Sequence, residues 1–172
     1  MGGTALGFAI AFGPNKLEAV KALVKAGANP LELQSDAGAT GLHFVALSKD
    51  ADEELVRYVL ELPGVRAQVN ARLRGRTLKY KVVLLAARLF VKMGTQNALM
   101  LEISEWSKQT PLIWAARIGN AAVMKVLVEE GGADTQLRNS RGHTALDGLV
   151  GGANALEETR VLLGGAVKMK GE

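Results

Sequence analysis

The sequence predicts an all-α protein built from about five helix–turn–helix units, and three observations carry that prediction. A Thr-led triplet recurs as Thr4-Ala5-Leu6, Thr40-Gly41-Leu42, Thr77-Leu78-Lys79, Thr110-Pro111-Leu112 and Thr144-Ala145-Leu146, at separations of 36, 37, 33 and 34 residues. Gly38, Gly75 and Gly142 each stand two residues ahead of their Thr, a position that suits a turn, and Gly3 stands directly ahead of the first. About two-thirds through the units lie helix stops: Gly27-Ala28-Asn29-Pro30, Pro63-Gly64, Gly131-Gly132-Ala133-Asp134 and Gly164-Gly165-Ala166. A fixed period in this range is the mark of a repeat architecture. With 172 residues, 48% hydrophobic and 22% charged, the chain is long enough to bury a core and too apolar for a disordered tail.

The units fall at about residues 1–35, 36–71, 72–105, 106–139 and 140–172. In the first, an apolar stretch from Ala5 to Phe12 precedes a helical pattern over Leu17 to Lys25. In the second, Asp50 and Glu53 are spaced as a capping box before the apolar face Leu55, Val56, Val59 and Leu60. The third departs from the plan. Tyr80 to Met93 reads as one unbroken helix, with a short second helix expected around Gln96 to Ile103. In the fourth, Thr110 caps a helix that has Pro111 at its first position. Leu112, Ala115 and Ala116 form a narrow face there, and Val123, Val126 and Leu127 form another after Gly119-Asn120. In the fifth, Glu157, Glu158 and Arg160 are placed to wet an outer face.

These residues resemble the ankyrin-repeat family, whose units run Gly-x-Thr-Pro-Leu-His-x-Ala-Ala and end in Leu-Leu-x-x-Gly-Ala-Asp. Unit four matches best, from Gln109-Thr110-Pro111-Leu112-Ile113-Trp114-Ala115-Ala116 to Leu127-Val128-Glu129-Glu130-Gly131-Gly132-Ala133-Asp134. Unit two supplies Gly38-Ala39-Thr40-Gly41-Leu42-His43, unit one Leu23-Val24-Lys25-Ala26-Gly27-Ala28-Asn29, and unit five Gly142-His143-Thr144-Ala145-Leu146. The resemblance implies a solenoid of antiparallel helix pairs with short β-hairpin fingers, the third unit atypical. Physics concurs, because a lone helix pair cannot bury both faces and three or more units must stack. The uncharged run Leu6 to Phe12 suits no natural cap. The expectation is that unit one continues a longer array or is covered by a partner.

Composition excludes several chemistries. There is no Cys, which removes disulfides, zinc ribbons and thiol catalysis, and two His are too few for a His-rich metal site. The longest apolar run, Val82 to Val91, contains Arg88 and is about half of what a membrane span requires. No Lys or Arg precedes the apolar Ala5 to Phe12 stretch, so it lacks the start of a secretory signal. An intracellular, cytoplasmic setting is the default expectation. No nucleophile elbow, Walker loop, dinucleotide fingerprint or His-Glu-x-x-His pair occurs, and the expectation is a protein with no catalytic activity, cofactor, metal or small-molecule substrate. His43 falls at the family's Thr-Pro-Leu-His position, where the resemblance implies a structural imidazole. His143 reads as a surface contact, and Asp50, Asp52, Glu53 and Glu54 read as a helix start favoured by the macrodipole.

Charge is uneven. From Arg66 to Lys92 there are eight basic residues and no acidic one, so the rest of the chain carries a net −4 against an overall +4. The expected partner is therefore a protein, acidic or of mixed charge. Nucleic acid fits less well, since aromatic residues interleave the basic ones only at Tyr80 and Phe90. A lipid-facing helix over Lys79 to Lys92 is disfavoured because its apolar residues wrap far round, which predicts burial.

Carried over from the family, the partner-binding positions are Asp36, Ala39, Arg74, Arg76, Trp106, Gln109, Arg141 and His143 in the fingers. Leu47, Ser48, Arg117 and Ile118 follow on the first helices. Arg74, Arg76 and Trp106 carry most weight, since Trp and Arg dominate interface hot spots. Trp114 is expected to pack between units. The expected function is a non-enzymatic interaction module, or alternatively the targeting part of a larger enzyme or channel.

Overall fold

The computed structural model describes residues 4–32, 35, 37–75, 77–149 and 159–164. Its architecture is helical, with no strand among the described residues. In chain order come α1 (Ala5–Phe12), α2 (Lys16–Lys25), α3 (Gly41–Leu47), α4 (Glu53–Glu61), a 3-10 turn (Val65–Gln68), α5 (Leu78–Lys92), α6 (Ala98–Glu105), α7 (Pro111–Ile118) and α8 (Ala121–Glu129).

Thr4, Thr40, Thr77 and Thr110 start helices as expected, whereas Thr144 opens only a turn over Ala145 to Gly148. The hydroxyls of Thr4, Thr77 and Thr110 accept hydrogen bonds from the amides of Gly7, Tyr80 and Ile113, which satisfies donors that a helix start leaves open. Pro111 follows at the first position of α7, and Gly119 ends that helix at φ +79°. The start of α4 differs by two residues from the expected box. Asp52 caps Leu55 at 2.9 Å, while Asp50 is held by Lys16 of α2 at 2.8 Å and by the Ser48 hydroxyl at 3.0 Å.

The stacking order differs from the sequence order. First helices pack as α1 on α3 and α3 on α7, and second helices as α2 on α4 and α4 on α8. The long α5 and short α6 expected in the third unit are both present, yet they pack on each other and on no other described helix. One continuous core runs from Leu6 and Ile10 through Leu42, Leu55 and Leu112 to Leu127 and Leu163. Leu84, Ala87 and Ile103 are buried in the hairpin but stand apart from that core. Residues 78–105 thus leave the stack between Leu73 and Lys108 and return to it. The exit is clamped, since the Leu73 amide donates to the Gln109 carbonyl at 2.9 Å and the Lys108 amide to the Leu73 carbonyl at 3.0 Å.

Asn120 locks the direct junction of α3–α4 with α7–α8. Its side-chain oxygen caps α8 at Val123 N (3.1 Å), while its amide group donates to the carbonyls of Ser48 (3.1 Å) and Ala51 (2.9 Å). Asn120→Ala removes a cap and leaves two buried carbonyls short of a donor, so equilibrium denaturation is expected to show a loss of about 2–3 kcal/mol. A loss near zero means that the junction does not depend on this residue. On the outer edge, Arg57 bridges Glu53 (2.6 Å) and Glu130 (2.8 Å), and the pairing with Glu130 raises the Arg57 pKa further. Being exposed, this network is worth little to stability.

Candidate partner-binding groove

The first helices α1, α3 and α7 line up their free faces, and the start of α5 hangs opposite them. Between them lies a groove of about 590 Å³. Its floor is Phe8 and Phe12 of α1, Phe44 and Leu47 of α3, and Trp114 and Ile118 of α7. Tyr80 and Val83 of α5 and Trp106 form the opposite wall, and Lys79 of α5 and Arg117 of α7 are the cations of the groove. Local sequence explains the floor. In α1, Leu6 and Ile10 turn to the core, which leaves Phe8 and Phe12 more than half exposed on the groove side, their rings 6.2 Å apart. The apolar excess of unit one is therefore spent on this groove.

His43 supports the floor from beneath. The ring is fully buried at 0% exposure, with Nδ1 3.1 Å from the Thr40 amide and Nε2 3.2 Å from the Gln109 carbonyl. Since the amide can only donate, Nδ1 accepts, which makes the imidazole neutral and gives the Nε2 proton to Gln109. Burial pushes its pKa down to about 4. The His43 and Trp114 rings also meet in a T-shaped contact, 5.6 Å apart at 89°. Trp114 therefore does two things at once, packing on His43 of unit two and lining the groove.

Tyr80 lines the groove with its ring and not with its hydroxyl. Its half-buried side chain ends in an enclosed hydroxyl with no hydrogen-bond partner among the described residues. Burial raises its pKa, so it stays a neutral donor. Gly75 makes room for this ring, because a Cβ there would lie 2.2 Å from the Tyr80 Cδ1.

The structure sorts the residues expected to bind a partner. Trp106, Arg117 and Ile118 converge on the groove with Leu47. Gln109 does not: at 0% exposure its side chain lies inside, and its carbonyl is the acceptor that joins two units. Ser48 is likewise buried, held on Asp50. Arg74 is exposed and borders a separate open cleft with Arg72, Asn70 and Asp134. Arg141 and His143 are exposed on the turn after Asn139, whose side chain accepts from both their amides (2.9 and 3.1 Å), and they lie outside the groove. Asp36 and Arg76 lie outside the described residues, as do Glu157 and Glu158. The basic stretch also divides. Arg66 donates to the Glu130 carbonyl, Arg72 and Arg74 border the cleft, and the remaining described cations sit on α5.

Phe8, Phe12 and Tyr80 were not among the residues expected to bind. An alternation of apolar residues within α1 that outnumbers what one core face can hold was the available signal for the first two.

Successive helix pairs sharing one core, each opened by a capped Thr, define a helical repeat protein. Residues 107–140, which enclose α7 and α8, match the family model described as Ankyrin repeat. Such repeats are interaction modules that bind protein partners. No curated protein matches the chain. Among the described residues no helix is long and apolar enough to cross a membrane, and no group of acidic or His side chains is arranged to hold a metal.

Proposed function

We propose that the chain is a single array of ankyrin-type units, interrupted by the α5–α6 hairpin. In this reading it acts as a non-enzymatic module that binds an extended protein segment in the groove on the first-helix face. One observation carries this reading: aromatic side chains from α1, α3 and α7 line one concave surface that the core leaves unfilled. The aromatic residues accept apolar side chains of the segment, with Trp106 as the anchor. Lys79 and Arg117 favour an acidic or mixed-charge sequence. Arg74 extends the same preference beyond the groove, along the neighbouring cleft.

Site-specific photo-crosslinking tests this. A photoreactive phenylalanine is placed at Ile118 or, as a control on the far side, at the exposed Glu129 of α8, and cell extract supplies the partners. Crosslinks are expected from position 118 only, and Trp106→Ala is expected to weaken capture at least about tenfold while circular dichroism stays unchanged. Equal crosslinking from both positions, or capture indifferent to Trp106, overturns the reading.

A further inference from the structure

The helix α5 was expected to be buried, and it is not. Leu78, Val82, Leu85, Leu89 and Met93 are between 52% and 80% exposed. Their spacing of four, three, four and four residues places them on one face of the helix. The ridge is about 22 Å long at ~1.5 Å per residue. The opposite side is occupied, since Leu84 and Ala87 are buried and Tyr80 and Val83 look into the groove. What stands free is a convex apolar ridge on a helix that, among the described helices, packs only on α6.

Cations flank this ridge on both sides. By helical geometry Lys81, Arg88 and Lys92 run along one flank and Lys79 lies on the other. All four are exposed, α5 holds no acidic residue, and none of the four makes an ion pair with a described residue. We infer that this ridge docks the protein in-plane on the surface of an anionic phospholipid bilayer. The apolar residues enter the acyl boundary, while the long basic side chains reach outward to the lipid phosphates.

Two further observations select that occupant. A second copy of the ridge would bring its own unpaired cations against these with no acidic residue to meet them, a like-charge contact that opposes pairing. A bilayer also yields to a convex helix without needing a preformed groove. The four cations of α5 equal the chain's whole net charge of +4, and the residues outside α5 balance at 17 basic and 17 acidic. An anionic surface therefore attracts α5 over the rest of the molecule, which selects one orientation.

Flotation of the full chain with vesicles tests the inference. It is expected to float with phosphatidylcholine vesicles containing phosphatidylserine, weakly with phosphatidylcholine alone, and less as salt rises. The double variant Leu85→Glu, Leu89→Glu is expected to stay in solution, and Lys81→Glu with Lys92→Glu to lower partitioning at least about tenfold. These positions are solvent-exposed, so circular dichroism should match the wild type. Trp106→Ala is expected to float like the wild type, which separates this surface from the groove. Absence of flotation, or flotation that survives Leu85→Glu, Leu89→Glu, overturns the inference. So does a dimer in sedimentation that the same double variant dissolves, or a soluble acidic protein that binds the ridge while vesicles do not.

Discussion

Replacing His43 by Ala is expected to lower stability by about 3 kcal/mol, the largest effect of any single change discussed. The substitution leaves the Thr40 amide without its acceptor, takes one donor from the Gln109 carbonyl, and removes the edge contact with Trp114. It opens a cavity where units two and four meet. The effect also has a pH signature. The folded-state pKa of about 4 lies below the unfolded value of 6.5, so between these the unfolded chain binds a proton that the folded one refuses. The stability linked to His43 is present in full above that window and is lost as pH falls through it. The total is about 3 kcal/mol, of which about 2 kcal/mol disappears between about pH 7 and about pH 5. Asp50, Glu53 and Asp147 are held below their usual values by Lys16, Arg57 and Thr144, so their losses come at lower pH. Denaturant titrations at the two pH values check both points, and His43→Ala should flatten the difference. A wild-type protein equally stable at both would mean that the imidazole is not held neutral in the fold.

The second large effect is expected from removing the hairpin. Replacing residues 76–105 by a short Gly–Ser linker is expected to leave the stack folded, because α3 packs on α7 and α4 on α8 without α5 or α6. The Leu73, Lys108 and Gln109 backbone bonds already hold the two ends together. Shortening the loop recovers about 1 kcal/mol of closure entropy, which offsets the lost cover of Tyr80 and Val83 over the groove. The stability change should therefore stay within about 1–2 kcal/mol, although a sixth of the chain is gone. The groove, by contrast, loses its outer wall. Trp106 and Trp114 should gain solvent and their fluorescence should shift to the red. Collapse of the deletion variant would show that α5–α6 is an integral layer of the stack.

Why the hairpin passed for a stacked unit is clear from its residues. Thr77 caps α5 just as Thr110 caps α7, and Gly75 stands two residues ahead of it as Gly38 does ahead of Thr40. Those signals report that a helix begins, and it does. They hold no information about which face the helix finds. The informative departure was the absence of an in-phase Ala pair after Thr77, since small residues on the first helix are what allow close stacking. Asn120 and Arg57 were hidden for a related reason. Their partners, Ser48, Ala51 and Glu130, lie 69 to 73 residues away, and only the skipped unit brings them into register.

Local rules written in neighbouring residues determined the helices, their Thr caps, their Gly stops and the ankyrin character of unit four. Those interactions span one turn of chain and need no tertiary context. That Trp106, Arg117 and Ile118 share one side of the molecule was legible on the same basis, as positions within a repeat. The tertiary structure alone decided that units two and four are neighbours, that Gln109 is a buried joint, and that α5 leaves its apolar ridge in solvent. Burial depends on what packs against a residue, and packing between segments seventy residues apart is settled by the shape of the whole core.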